Sequence, residues 1–149
     1  MPEESTVERA KEDLQEGKSP STAAGEFVHE EIEHVREGKH GARSPRQAIA
    51  IGLSKARRAG IPLKPPARGT TSERTRKSAE SAYRKGKSGT VKKTSRKRSI
   101  AREAALKHEP RNTMSRRALS KQARTSARRR KPAARSRSAR RAASTRRAA

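Results

Sequence analysis

The chain has 149 residues with 40 Lys+Arg against 15 Asp+Glu, a formal net charge of +25, and only 28% hydrophobic residues. That is too little apolar surface to offset backbone ordering along the whole length, at roughly 1–2 kcal/mol per residue, so at most one small core is expected. Cysteine is absent, which excludes disulfides and thiolate metal sites.

The charge is unevenly placed. Residues 1–60 carry 10 Lys+Arg and 11 Asp+Glu, whereas residues 61–149 carry 30 and 4. A near-neutral head joined to a strongly basic arm points to a polyanionic partner. No run approaches the ~18 apolar residues of a membrane helix. The acidic start "MPEESTVERAKEDLQEGK" has no apolar secretory region, so a soluble, cytoplasmic protein is expected.

In chain order, the first predicted helix runs from Thr6 to Glu16. Ser5 and Glu8 fit a capping box, Val7, Ala10 and Leu14 share a face, and Gly17 is placed to end it. Ser19-Pro20 predicts the start of a second helix reaching Glu37, with Ala24, Phe27, Val28, Ile32 and Val35 at helical spacing. The third is the most apolar window, "SPRQAIAIGLSKARRAG" at 44–60. Ser44 and Gln47 form its capping box, and Ala48, Ile49, Gly52, Leu53, Ala56 and Ala59 form its apolar face. Both joints read Glu-Gly-Lys, then Ser-Pro, and the first is short enough to make helices one and two antiparallel or sharply bent.

Residues 61–71, "IPLKPPARGTT", read as a linker. Beyond it, 72–87, 94–110 and 113–131 predict polar, conditionally helical segments with few apolar side chains larger than alanine. Arginine repulsion weakens such helices, and phosphates would relieve it, so folding on binding is expected. Residues 132–149, with six arginines and no acid, are expected to be a disordered tail. The windows at 44, 95 and 114 share a basic, Ser-rich lead into an Ile/Leu-Ala helix. With so few residue types in use, chance explains this as well as duplication does. The fold class is therefore mainly α: a three-helix head at 1–60 and a basic, weakly helical to disordered arm.

Catalytic signatures fail on inspection. "HEEIEH" at 29–34 spaces its histidines by five, not the four that put both zinc ligands of H-E-x-x-H on one helix face, so these residues read as the surface of an acidic helix. Gly86-Lys87-Ser88 lacks the earlier glycine and preceding strand of a phosphate-binding loop, and a flexible basic loop is the better reading. No nucleophile–base pattern stands out, and no metal, cofactor or catalytic residue is assigned. Phe27 and Tyr83 make no stacking platform, which argues against base-stacking recognition of single strands.

What remains is phosphate neutralisation, independent of base sequence. The candidate nucleic-acid contacts are Arg96, Lys97, Arg98, Arg116, Arg117, Lys121, Arg124, Arg128, Arg129, Arg130, Lys131, Arg135, Arg137, Arg140, Arg141, Arg146 and Arg147. Lys55, Arg57 and Arg58 are secondary candidates on the third helix. The expected function is non-enzymatic, sequence-independent DNA binding. An RNA- or ribosome-associated protein is the alternative, as is a regulatory module whose head self-associates or binds a protein partner.

The stretch "GEFVHEEIEHVREGKHGARSPRQAIAIGLSKARRAGIPLKPP" at 25–66 resembles a domain of small uncharacterised bacterial proteins, some labelled plasmid-stabilisation proteins. Its hallmark is S-x-[KR]-Q-A-I-A-I-[AG]-L-S-x-A-R-R-A-G, matched here across Ser44–Gly60. The resemblance implies a bacterial, cytoplasmic or nucleoid-associated setting and transfers no functional residues. The arm resembles the tails of linker-histone-like bacterial proteins in composition.

Overall fold

The computed structural model describes residues 2–89 and 95–148. Among them are seven α-helices and one 3₁₀ turn: α1 (Glu4–Gln15), α2 (Pro20–Arg36), α3 (Pro45–Arg58), α4 (Glu73–Lys87), α5 (Arg96–Lys107), the 3₁₀ turn Asn112–Met114, α6 (Arg116–Arg129) and α7 (Pro132–Ala148). No helix among these residues is long and apolar enough to cross a membrane. The chain forms two units, the first reaching Met114 and the second beginning at Ser115.

The helix boundaries follow local chemistry. Ser19 caps α2 by accepting the Thr22 N–H at 3.3 Å, and Pro20 takes the first helical position. Ser44 accepts the Gln47 N–H at 3.4 Å, but the Gln47 side chain accepts from the Arg43 N–H at 2.8 Å rather than from Ser44, so the predicted box closes one residue early. The box predicted on α1 does not form. The helix begins at Glu4 with Ser5 inside its first turn, and Glu3 takes the cap position without a side-chain bond.

Three helices end in the same way. Gly17, Gly38 and Gly60 adopt φ of 77°, 77° and 90°. Each donates to the carbonyl three residues back, and the following residue donates five back, as in Gly38 to Val35 (3.2 Å) and Lys39 to His34 (2.9 Å). This is the paired closure of a Schellman motif, and a left-handed glycine makes it without steric cost. The repeated Glu-Gly-Lys of the sequence is this device.

α1 and α2 run antiparallel: Glu3 bonds to residues 30 and 34, and Arg9 meets Glu26. The core is built from Ala10, Ala23, Ala24, Phe27, Ala56 and Ile61, with Val7, Leu14, Leu53, Ala59 and Leu63 packed around it. Small side chains allow close helix approach, and Gly52 takes this furthest. A Cβ there would stand 2.7 Å from Val28 Cα and 2.8 Å from the Phe27 carbonyl oxygen.

The packing continues past the head expected at 1–60. Residues 61–71 lack regular structure, but Ile61 is buried and Leu63 packs on the core. α4 buries Ala79 and Ala82 and packs against α3. Gly86 lies inside α4, against the Arg57 carbonyl and the Gly60 amide, so the flexible loop expected at 86–88 is a helix end seated on another. The end of α5 is tied to the α2–α3 joint: Gly41 donates to Leu106 and Ala42 to Pro110, both at 2.9 Å. Met114 is buried, and its carbonyl accepts from Arg36.

The expected disordered tail at 132–149 is a helix over Pro132–Ala148. Charge repulsion was the ground for expecting disorder. Against it stand alanine and arginine, both strong helix formers, a proline at the first position and no glycine. Seventeen residues also exceed the roughly 12–15 at which an isolated helix becomes tenable. Serine hydroxyls are absorbed locally, Ser136 onto the Pro132 carbonyl and Ser138 onto that of Ala134.

Candidate functional site

Arg96, Lys97 and Arg98 occupy the first turn of α5 behind the Ser95 cap, and all three are exposed. In the second unit, Arg116, Arg117, Lys121, Arg124, Arg128 and Arg129 lie on α6, Arg130 and Lys131 between the helices, and Arg135, Arg137, Arg140, Arg141, Arg146 and Arg147 on α7. Every one of these is exposed.

Their distribution differs between the two helices. Arg117, Lys121, Arg124 and Arg128 recur at four-, three- and four-residue steps, which aligns them in one stripe about 16 Å long. The face carrying Leu119, Gln122, Thr125 and Ser126 is half-buried, so α6 is amphipathic with a cationic outer side. On α7 the arginines wind around all sides. α5 and α6 have no acid in the first turn and start with basic residues, placing positive charge at the positive end of the helix dipole. An arriving anion would relieve that repulsion.

The secondary candidates are used differently. Arg58 is exposed, but Arg57 is buried and donates through Nε to the Leu63 carbonyl at 3.2 Å. Burial pushes the Arg57 guanidinium pKa below its usual value. Lys55 reaches back to α2, its Nζ lying 2.9 Å from Glu30 Oε1 and 2.8 Å from Glu31 Oε2. Both carboxylates are buried, which overturns their reading as the surface of an acidic helix.

This cluster is the polar centre of the first unit. Burial by itself would push the Glu30 carboxyl up, but Lys55, the Glu3 N–H (3.1 Å) and the Thr6 hydroxyl outweigh it and hold Glu30 below the usual carboxylate range. Burial would likewise depress Lys55, but Glu31 and Glu30 outweigh it and raise the ammonium pKa. Glu3 in turn accepts from His34 (3.0 Å) and Lys39 (3.3 Å), which lower its pKa. His40 Nε2 stands 3.2 Å from Glu31 Oε1, and its Nδ1–H donates to the Gly41 carbonyl at 3.0 Å. His29, which the H-E-x-x-H comparison singled out, is exposed and takes no part.

Sequence reading missed this cluster because its members come from four places: the start of α1, the middle of α2, the α2–α3 joint and the end of α3. One signal was available, a Glu-x-x-His spacing at Glu31 and His34 that puts both on one helix face.

The chain matches no family model, no curated protein and no solved structure.

Proposed function

We propose that the protein is a non-enzymatic, sequence-independent DNA-binding protein of the nucleoid-associated or plasmid-maintenance type, acting by phosphate neutralisation. The observation that carries this reading is the second unit. It holds 14 Lys+Arg and no Asp or Glu, and all of those cations are exposed on or beside two helices. The unit has no Asp or Glu side chain to compete with phosphate for them. Arginine supplies most of the charge, and its fork reaches phosphate oxygens bidentately. Such contacts carry no base information, and their free energy comes largely from released counterions.

The test is a salt titration of the full chain on unrelated DNA duplexes. Engagement of ~10 phosphates gives a slope of log K against log salt near −9. Replacing Arg117, Lys121, Arg124 and Arg128 together by Gln removes up to about four phosphate contacts and flattens the slope by roughly 3–4. Preference for one duplex by several orders of magnitude refutes the reading. Stronger binding to RNA than to DNA at matched salt assigns the same surface to RNA.

A further inference from the structure

We propose that Glu31, His34 and His40 form a site for a divalent transition-metal ion of the zinc class. Each side chain offers one ligand atom, and the three atoms lie within 4.8 Å of one another. Imidazole and carboxylate donors of this kind suit zinc.

The spacing and the surroundings both favour a shared ion. His40 Nε2 and Glu31 Oε1 are 3.2 Å apart. Two ligands each about 2.0–2.1 Å from a tetrahedral zinc stand roughly 3.3 Å from one another, so this pair needs almost no movement. Both histidines are oriented from behind. His40 donates Nδ1–H to the Gly41 carbonyl, which leaves Nε2 as the nitrogen facing Glu31, able to bind a cation when it carries no proton. His34 donates Nε2–H to the Glu3 carboxylate, which leaves Nδ1 as its coordinating nitrogen. Anchoring the outer nitrogen on a carbonyl or carboxylate is what fixes the tautomer of metal-binding histidines.

Glu31 is 1% exposed, and its Oε2 is paired with the Lys55 ammonium at 2.8 Å. With Oε2 turned to Lys55, Oε1 is the atom left for the ion, so Glu31 would bind through one oxygen. Three protein ligands leave one position open. The ion would clip α2 to the α2–α3 joint, the same joint whose Gly41 and Ala42 amides hold the end of α5.

The experiment uses the full chain, stripped with chelator and titrated with Zn²⁺ while the histidine ring signals are followed by NMR. One equivalent should bind, shifting the rings of His34 and His40 and leaving those of His29 and His108 in place. Amide exchange at Gly41 and Ala42 should slow on binding. His40→Gln should weaken zinc affinity by more than the roughly 10–100-fold that losing an outer hydrogen-bond partner costs, whereas His29→Gln should leave it unchanged. Failure to bind zinc in several-fold excess overturns the proposal, as does binding that shifts His29 or His108 instead. The ring measurement is made on the unsubstituted chain, so it stands even if His40→Gln fails to fold.

Discussion

Gly52→Ala tests the closest helix crossing in the core. The new Cβ would lie 2.7 Å from Val28 Cα, about 0.8 Å inside a normal carbon–carbon contact of ~3.5 Å. Its other near neighbours are the Phe27 carbonyl oxygen and the Val28 nitrogen, at 2.8 and 2.9 Å. All three are backbone atoms of α2, so no side chain can swing aside and the helices must separate. Overpacking of this kind costs about 1–3 kcal/mol. Alanine returns up to ~1 kcal/mol through helix propensity, leaving a net loss of about 1–2 kcal/mol. At roughly 3–6 °C per kcal/mol, between the values for 100- and 150-residue domains, Tm should fall by about 3–12 °C in a melt followed by circular dichroism. Gly25→Ala is the matched control. It too lies within a helix, but nothing stands within 4 Å of its added Cβ, so it should stabilise by up to ~1 kcal/mol. If Gly52→Ala melts at or above the parent temperature, or moves in the same direction as Gly25→Ala, the close crossing is wrong.

Lys55→Met should destabilise the first unit by about 3 kcal/mol in urea unfolding, because it strands two buried carboxylates; Glu30 keeps its Glu3 N–H, which limits the loss. A change under 1 kcal/mol would show that the ion pairs are incidental. Adding Glu31→Gln to that variant should restore part of the loss, read from the same urea midpoints, since it removes one stranded charge. Ala139→Pro, in the interior of α7, should lower far-ultraviolet helical signal, at a local cost of ~3 kcal/mol. It should leave the melt of the Phe27 core unchanged, and an unaltered spectrum would mean that Pro132–Ala148 is not helical in solution.

The helix starts and stops were the most legible part of the fold, because each depends on one or two residues acting locally. Ser19 and Ser44, read as caps, each accept the N–H of the third residue of the helix that follows, and Ser72, Ser95 and Ser115 do the same, whereas the box read at Ser5 does not form. The extent of the packed unit was not legible. Ala79, Ala82 and Gly86 read as filler in a basic segment, yet their smallness is what lets α4 lie against α3. Apolar counting undervalues such residues, since they contribute close approach and little area. α7 erred in the other direction, where net charge was given more weight than alanine content. Of the candidate binding residues, those on α5, α6 and α7 stand out in the sequence as basic segments, the last two without any acid. The use of Lys55 and Arg57 inside the fold depends on tertiary neighbours that no spacing reveals.

The bonds that close the first unit join distant parts of the chain. Arg36 to Met114 spans 78 residues and Thr113 to Ala42 spans 71. During synthesis α1, α2 and α3 emerge long before the segment that covers their joint, so the amides of Gly41 and Ala42 must wait in water for Leu106 and Pro110. Closing so long a loop adds little thermodynamic cost, because the entropy grows only with the logarithm of its length, but it places this step late in time. The joint is thus the last seam to shut on the nascent chain and the first whose opening would release α5 while the Phe27 core stays intact.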